Sequence, residues 1–223
     1  MKKFPLIVFD WDGTLVDSIE RIVTSLQHAS KQAARINISE NQAKNVIGLG
    51  LMEAITQLHP ELDAKHNITE LENIADTYRH HYLFENPTPA PLFTGVNQLL
   101  DELRHDGYTL AISTGKSRAG LKQSIEEHDV NDYFATTRCA GENKSKPHPE
   151  MLHEILHELN FSADEAVMIG DSIHDLEMAN NANMKCIGVT HGVHDAKTLE
   201  NHNPLICLSN IADLSDYLNH NHP

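Results

Sequence analysis

Asp10 and Asp12 flank Trp11 near the start of the chain and are followed by Gly13 and Thr14. Leu6, Ile7, Val8 and Phe9 lead into them as an unbroken apolar run, the pattern of a short strand buried on both faces. Side chains alternate along a strand, so two acids two positions apart can share a face, and Gly13 permits a sharp turn directly after them. One carboxylate in such a place can attack an electrophile while the other handles protons. Like charges this close raise one pKa unless a cation intervenes, and Mg²⁺ held by oxygen ligands is the simplest such cation. An Asx-turn closing an ordinary strand would use the same residues. The stretch alone does not decide between them.

Two later stretches repeat the arrangement of buried run followed by polar residues, and a third sets a lysine in a loop. Leu110, Ala111 and Ile112 precede Ser113, Thr114, Gly115 and Lys116, and a hydroxyl with backbone N–H groups at a helix start binds phosphate as readily as it caps the helix. Val167, Met168 and Ile169 precede Gly170, Asp171, Ser172, Ile173, His174 and Asp175. At helical spacing Asp171 and Asp175 lie on one face of the first turn, near its positive end, with N-capping by Asp171 as the plainer alternative. Lys146 stands in a loop stiffened by Pro147 and Pro149; held rigidly, it can balance carboxylates, although a loop lysine is ordinarily solvated. Acids delivered by two separate strands to one sheet edge, with a hydroxyl and a lysine beside them, outweigh the separate structural explanations.

The elements that must position these residues follow from periodicity. Between residues 17 and 86 only helical patterns occur: one from a Ser18 cap to about Ala34, a capping box at Ser39–Gln42, a pattern interrupted by Gly48 and Gly50 that resumes through Leu58, and one from about Thr69 to Phe84. Three prolines in Pro87–Pro91 then exclude helix interior and central strand. Beyond them strands at Tyr108–Ser113, Ala166–Ile169, Lys185–Val189 and Leu205–Leu208 alternate with helices near Val96–Arg104, Ser117–His128, Pro149–Leu159, Asp171–Ala182 and Ile211–Leu218, and the polar Asn219–Pro223 tail frays. This predicts an α/β fold with a doubly wound, mostly parallel sheet and an inserted all-helical domain: residues 1–16 and 87–223 as core, 17–86 as insert. Ligands bind beyond the carboxyl ends of such strands.

At 223 residues, 40% hydrophobic and 22% charged, the chain reads as a soluble globular protein. The apolar run after the two N-terminal lysines is too short for a signal peptide or membrane span, which predicts a cytoplasmic protein without a membrane partner. A net charge of −15 argues against nucleic acid as partner and repels anionic substrates at long range, so a phosphate site must reverse the field locally with a metal and basic groups. Cys139, Cys186 and Cys207 are too few and too scattered for a disulfide framework or a cysteine zinc site.

The four stretches, in order, resemble the motifs of the haloacid dehalogenase superfamily, phosphoglycolate phosphatase-like branch: Asp10–Thr14 as the first, Thr114 as the second, Lys146 as the third and Gly170–Asp175 as the fourth. The resemblance implies a Rossmann-like core with the 17–86 helices as a cap, and Mg²⁺-dependent hydrolysis of a small phosphorylated metabolite, 2-phosphoglycolate first, through an aspartyl-phosphate. It implies that Asp10 is the nucleophile and Asp12 the acid and base. It places Ser113, Thr114, Gly115 and Lys146 against the phosphoryl group, and has Asp10, the Asp12 backbone carbonyl and Asp171 hold the metal with Asp175 in support. An acid at position 12 favours phosphoryl transfer over carbon–halogen cleavage within the superfamily. Gly48–Gly50 would face the core, and Arg21, Lys44 and Arg118 are cations that a substrate carboxylate could use.

A phosphomutase of the same superfamily would share Asp10 and Asp12 and differ only in the acceptor of the phosphoryl group. An inactive binding module of the same fold is opposed by the intact acidic set. His153, Glu154 and His157 match the zinc-protease spacing, but Ile155, Leu156 and Leu159 are natural core positions, which turns at least part of the histidine face outward, and no third ligand stands out beyond His191 and His194.

Overall fold

Leu6–Phe9 forms β1, fully buried, at the centre of a six-stranded sheet in a computed structural model that describes residues 2–63 and 65–220. The other strands are β2 (Thr109–Thr114), β3 (Thr136–Cys139), β4 (Ala166–Gly170), β5 (Lys185–Val189) and β6 (Cys207–Leu208). All pair in parallel, in the order β3-β2-β1-β4-β5-β6. The chain winds outward from β1 to β3 on one side and, after crossing back, from β4 to β6 on the other. The order therefore reverses between β1 and β4, and a crevice opens there beyond their carboxyl ends.

A parallel sheet covered on both faces needs apolar side chains in both directions along each strand. Ile7 and Phe9 pack against α5 (Val96–His105) and α10 (Leu214–His220), while Leu6 and Val8 pack against α7 (Glu150–Leu159) and α8 (Ile173–Asn181). Burying each such side chain is worth about 1.5–3 kcal/mol. Trp11 is also fully buried, its indole N–H donating to Ser124 Oγ at 3.0 Å from α6 (Arg118–Glu127), so the bulk between the two acids is absorbed by the core.

The segment after β1 is helical, as its pattern predicts: α1 (Ile19–Ala29), α2 (Glu40–Lys44), α3 (Leu51–Leu58) and α4 (Ile68–His80). Their apolar stripes meet one another in two clusters of their own, around Val23, Leu26 and Ile47 and around Ile55, Leu71 and Ile74. The strands of chain leading in and out run side by side, with Asp17 N donating to Pro91 O at 2.8 Å and Phe93 N to Leu15 O at 2.9 Å. The capping box at Ser39 and Gln42 forms as expected.

Several details differ from the pattern. The α1 and α4 helices end in π-helical turns, Ser30–Ala34 and His81–Glu85. Ser18 makes no cap bond, because its hydroxyl is turned toward Asp12. Ser172, and not Asp171, caps α8. Strand β3 and the short α9 (Ala196–Glu200) were not foreseen, and the last strand is two residues long. Asn219 lies within α10, and the rest of the tail from residue 221 falls outside the described residues. Among the described residues no helix is long and apolar enough to cross a membrane.

Candidate active site

Asp10 follows β1 directly, and its backbone N–H donates to Ile169 O of β4 at 2.9 Å, which fixes it at the reversal point. Gly13 then turns the chain at φ +83°, and any side chain there would overlap the Asp171 carboxylate. That close approach lets Thr14 Oγ1 donate to Asp171 Oδ1 at 2.8 Å, while Val193 N donates to Oδ2 at 2.8 Å. Asp171 is thereby held from both sides at the end of β4.

Lys146 enters from beneath, its side chain wholly enclosed. Its Nζ donates to Asp175 Oδ1 at 2.6 Å and stands 2.6 Å from Asp10 Oδ1. That Asp10 contact is a short ion pair in a fully enclosed place. Asp175 Oδ2 accepts from the Ser172 backbone and hydroxyl. Burial works against the charge on Lys146, but Asp10 and Asp175 outweigh it and hold its pKa above the ordinary lysine value. Burial, and after it repulsion from Asp175, pushes Asp10 well above the usual carboxylate range and Asp171 up to about 7.

Three carboxylates and one lysine leave an excess of negative charge in a dry place. Oxygens of Asp10, Asp171 and Asp175 lie within 4.8 Å of one another. All are hard donors, three carboxylates share a single lysine, and each carboxylate oxygen has lone pairs to spare, so the set fits a divalent cation that prefers oxygen.

Asp12 faces away from this cluster, into a cavity of about 480 Å³ between the sheet edge and the α1–α4 helices. Lys116 Nζ donates to both its oxygens, at 2.8 and 3.0 Å, and Ser18 Oγ to Oδ1 at 2.6 Å. Lys116 also reaches the Tyr82 hydroxyl at 3.3 Å. Burial disfavours its charge, yet Asp12 more than compensates and raises its pKa. Asp10, Thr114 and Gly115 complete the cavity floor. Gly115 packs under the carbonyls of Gly48 and Leu49, where a Cβ would collide with backbone. The same loop is pinned by Gly50 N donating to Ser145 Oγ at 2.7 Å and by His174 Nε2 donating to Asn45 O at 3.1 Å.

With this geometry established, the family model described as haloacid dehalogenase-like hydrolase matches residues 7–189, which span every group above except Val193. The chain belongs to this family. This haloacid dehalogenase-like hydrolase is similar to the phosphoglycolate phosphatase of Agrobacterium fabrum, 28% identical over 198 residues that cover 88% of this chain and 84% of the relative. It is also similar to a protein of Dickeya dadantii named "Probable phosphatase IndB", 32% identical over 94% of this chain and 91% of that one. A haloacid dehalogenase-like family protein of Streptococcus pneumoniae has the same fold, with a TM-score of 0.81 at 22% identity, covering 97% of this chain and 99% of that one.

The structure of this hydrolase brings Lys146 against Asp10 and Asp175, sets an Asp171 oxygen within 4.8 Å of both acids, and places Asp12 and Thr114 on the adjoining cavity floor. It does not bring Ser113 there. As the strand neighbour of Thr114, Ser113 points to the opposite face, 3.7 Å from the sulfurs of Met151 and Met178. The three cations offered for a substrate carboxylate are engaged elsewhere: Arg21 with Tyr82 O, Lys44 with Glu40, Arg118 with Glu142. The sequence pattern names Thr14, Ser18 and Lys116 but assigns none of them the contacts with Asp171 and Asp12 that they make. His153, Glu154 and His157 are exposed on α7, and Glu154 is bound by Arg138 at 2.7 Å, so the protease spacing forms no metal group among the described residues.

Proposed function

We infer that this hydrolase cleaves phosphate monoesters through a covalent aspartyl-phosphate on Asp10, with Mg²⁺ as its cofactor. The observation that carries the reading is Asp10 itself: a buried carboxylate at the floor of a cavity, paired with an enclosed lysine at 2.6 Å and flanked by two further acids. The cation would be held by Asp10, Asp171 and the Asp12 backbone carbonyl, with Asp175 beside it, and when bound it supplies positive charge against the phosphoryl oxygens.

In this account the phosphoryl group lies between Thr114 and Lys146. An Asp10 oxygen forms a bond to phosphorus as the ester P–O bond breaks. Asp12 first takes a proton from solvent in exchange for one of its Lys116 contacts and gives it to the departing oxygen, so the alcohol leaves neutral. Asp12 then takes a proton from a water whose oxygen attacks phosphorus; the bond to Asp10 breaks and inorganic phosphate leaves. Lys116 and Ser18 position Asp12 for both transfers. Residues 17–86 act as a cap that closes the cavity and contacts the leaving group. The substrate class is a small phosphorylated metabolite in the cytoplasm, and the names of the relatives make 2-phosphoglycolate the first ester to assay.

The reading is tested by acid quench within one turnover followed by peptide mass analysis. It predicts a phosphoryl adduct on the Asp10 peptide that needs Mg²⁺ and is absent in Asp10→Asn. An adduct on another residue, or none with any turned-over ester, contradicts it.

A further inference from the structure

The walls of the cavity differ in character from its floor. Ile22, Leu26, Met52, Tyr78 and Leu83 face it from the helices and Ile47 from the turn after α2, and a volume of about 480 Å³ lies within the range of pockets that enclose whole organic ligands. A two-carbon acid fills only a small part of that space.

Charge points the same way. Among the described residues the lysines and arginines lining the cavity are Lys116 and Arg79. Each has an acidic partner: Lys116 donates to both oxygens of Asp12, and Arg79 Nη1 lies 2.6 Å from Asp76 Oδ1 in an exposed pair. The remaining charged wall residue is Glu53, an acid. A leaving group with its own carboxylate would therefore shed its hydration against apolar side chains, meet only cations that already have an acidic partner and approach a like charge. An uncharged apolar group would instead release ordered water from the same surface and stack near Tyr78 and Tyr82, whose rings already lie 5.7 Å apart.

We propose that this hydrolase selects phosphate monoesters whose leaving alcohol is uncharged, predominantly apolar and larger than glycolate, with the helical wall around Met52 and Tyr78 as the recognising surface. The proposal rests on the phosphatase reading and adds the leaving-group class to it.

The test compares kcat/KM for benzyl phosphate and 2-phosphoglycolate with Mg²⁺ present. Both are esters of alkyl alcohols, so the comparison reads recognition more than leaving-group acidity. Benzyl phosphate should be preferred by about tenfold or more, as expected for one apolar group accepted and one charge refused. Met52→Lys, on a partly exposed wall position, should lower kcat/KM for benzyl phosphate and raise it for 2-phosphoglycolate. Preference for 2-phosphoglycolate in the wild type, or a Met52→Lys variant with unchanged selectivity, overturns the proposal and leaves the phosphatase reading intact. Failure to release phosphate from either ester or from a wider panel sinks the phosphatase reading, and the proposal with it.

Discussion

Lys146 stands between two buried carboxylates, and among the described residues no other cation comes within ion-pair distance of Asp10. Breaking a buried ion pair by removing one partner leaves an uncompensated charge. Lys146→Met should therefore destabilise the protein by about 3–5 kcal/mol in urea unfolding, with part of the loss recovered on adding Mg²⁺. Asp171 makes a prediction of opposite sign. Its folded pKa is raised from 3.8 to about 7, chiefly by burial, so between those values the folded state holds its proton more tightly than the unfolded chain. Stability contributed by that proton is present at low pH and lost as pH rises through the window. In chelator, the Tm of Asp171→Asn minus that of the wild type should grow across this range, and Mg²⁺ at neutral pH should raise the wild-type Tm more than the variant's. A pH-independent difference would contradict the charge account. Asp10, Lys146 and Asp171 could be found in the sequence because each is announced locally, by a buried run or by flanking prolines. Lys116 could not: a lysine at a helix start is ordinary, and its role exists only because Asp12 folds back to meet it. Ser113 misled for the opposite reason, since sharing a motif with Thr114 says nothing of which side of the strand it faces.

At the scale of elements, the contact between the Gly48–Gly50 loop and the end of β2 couples the helices to the sheet edge. Gly115 has no room for a Cβ beneath the Gly48 and Leu49 carbonyls, and backbone cannot yield as a flexible side chain does. Gly115→Ala should push that loop away, costing about 1–3 kcal/mol in stability and raising KM more than it lowers kcat, since the loop touches the cavity and not Asp10. A normal KM in this variant would show that the loop does not shape substrate binding. Most strands were visible as apolar runs because a covered parallel sheet leaves them little choice. Strand β3 hides, because at the sheet edge Thr136, Thr137 and Arg138 are only partly covered and Cys139 alone is buried. The π-helical ends of α1 and α4 have no signal either, since a widened turn satisfies the same side-chain pattern as an α turn.

For the molecule as a whole, the helical segment is inserted where the chain leaves β1 and returns beside itself, so one short pair of strands connects two sets of apolar contacts. The prolines at 87–91 mark where helical rhythm gives way to strand–helix alternation, and that alternation announced the parallel sheet. What periodicity could not supply was the cavity, which belongs to neither part alone. With a net charge of −15, the chain concentrates its few useful cations at the crevice, Lys146 under the acids and Lys116 beside Asp12. The account turns on Asp10 acting as a metal-assisted nucleophile toward phosphorus. The measurement that tests this most directly is phosphate release from a panel of monoesters, with Mg²⁺ and with excess chelator, for wild type and Asp10→Asn side by side. The account predicts release by the wild type that chelation abolishes, and none by a folded Asp10→Asn. Release by Asp10→Asn, or release indifferent to the chelator, would contradict it.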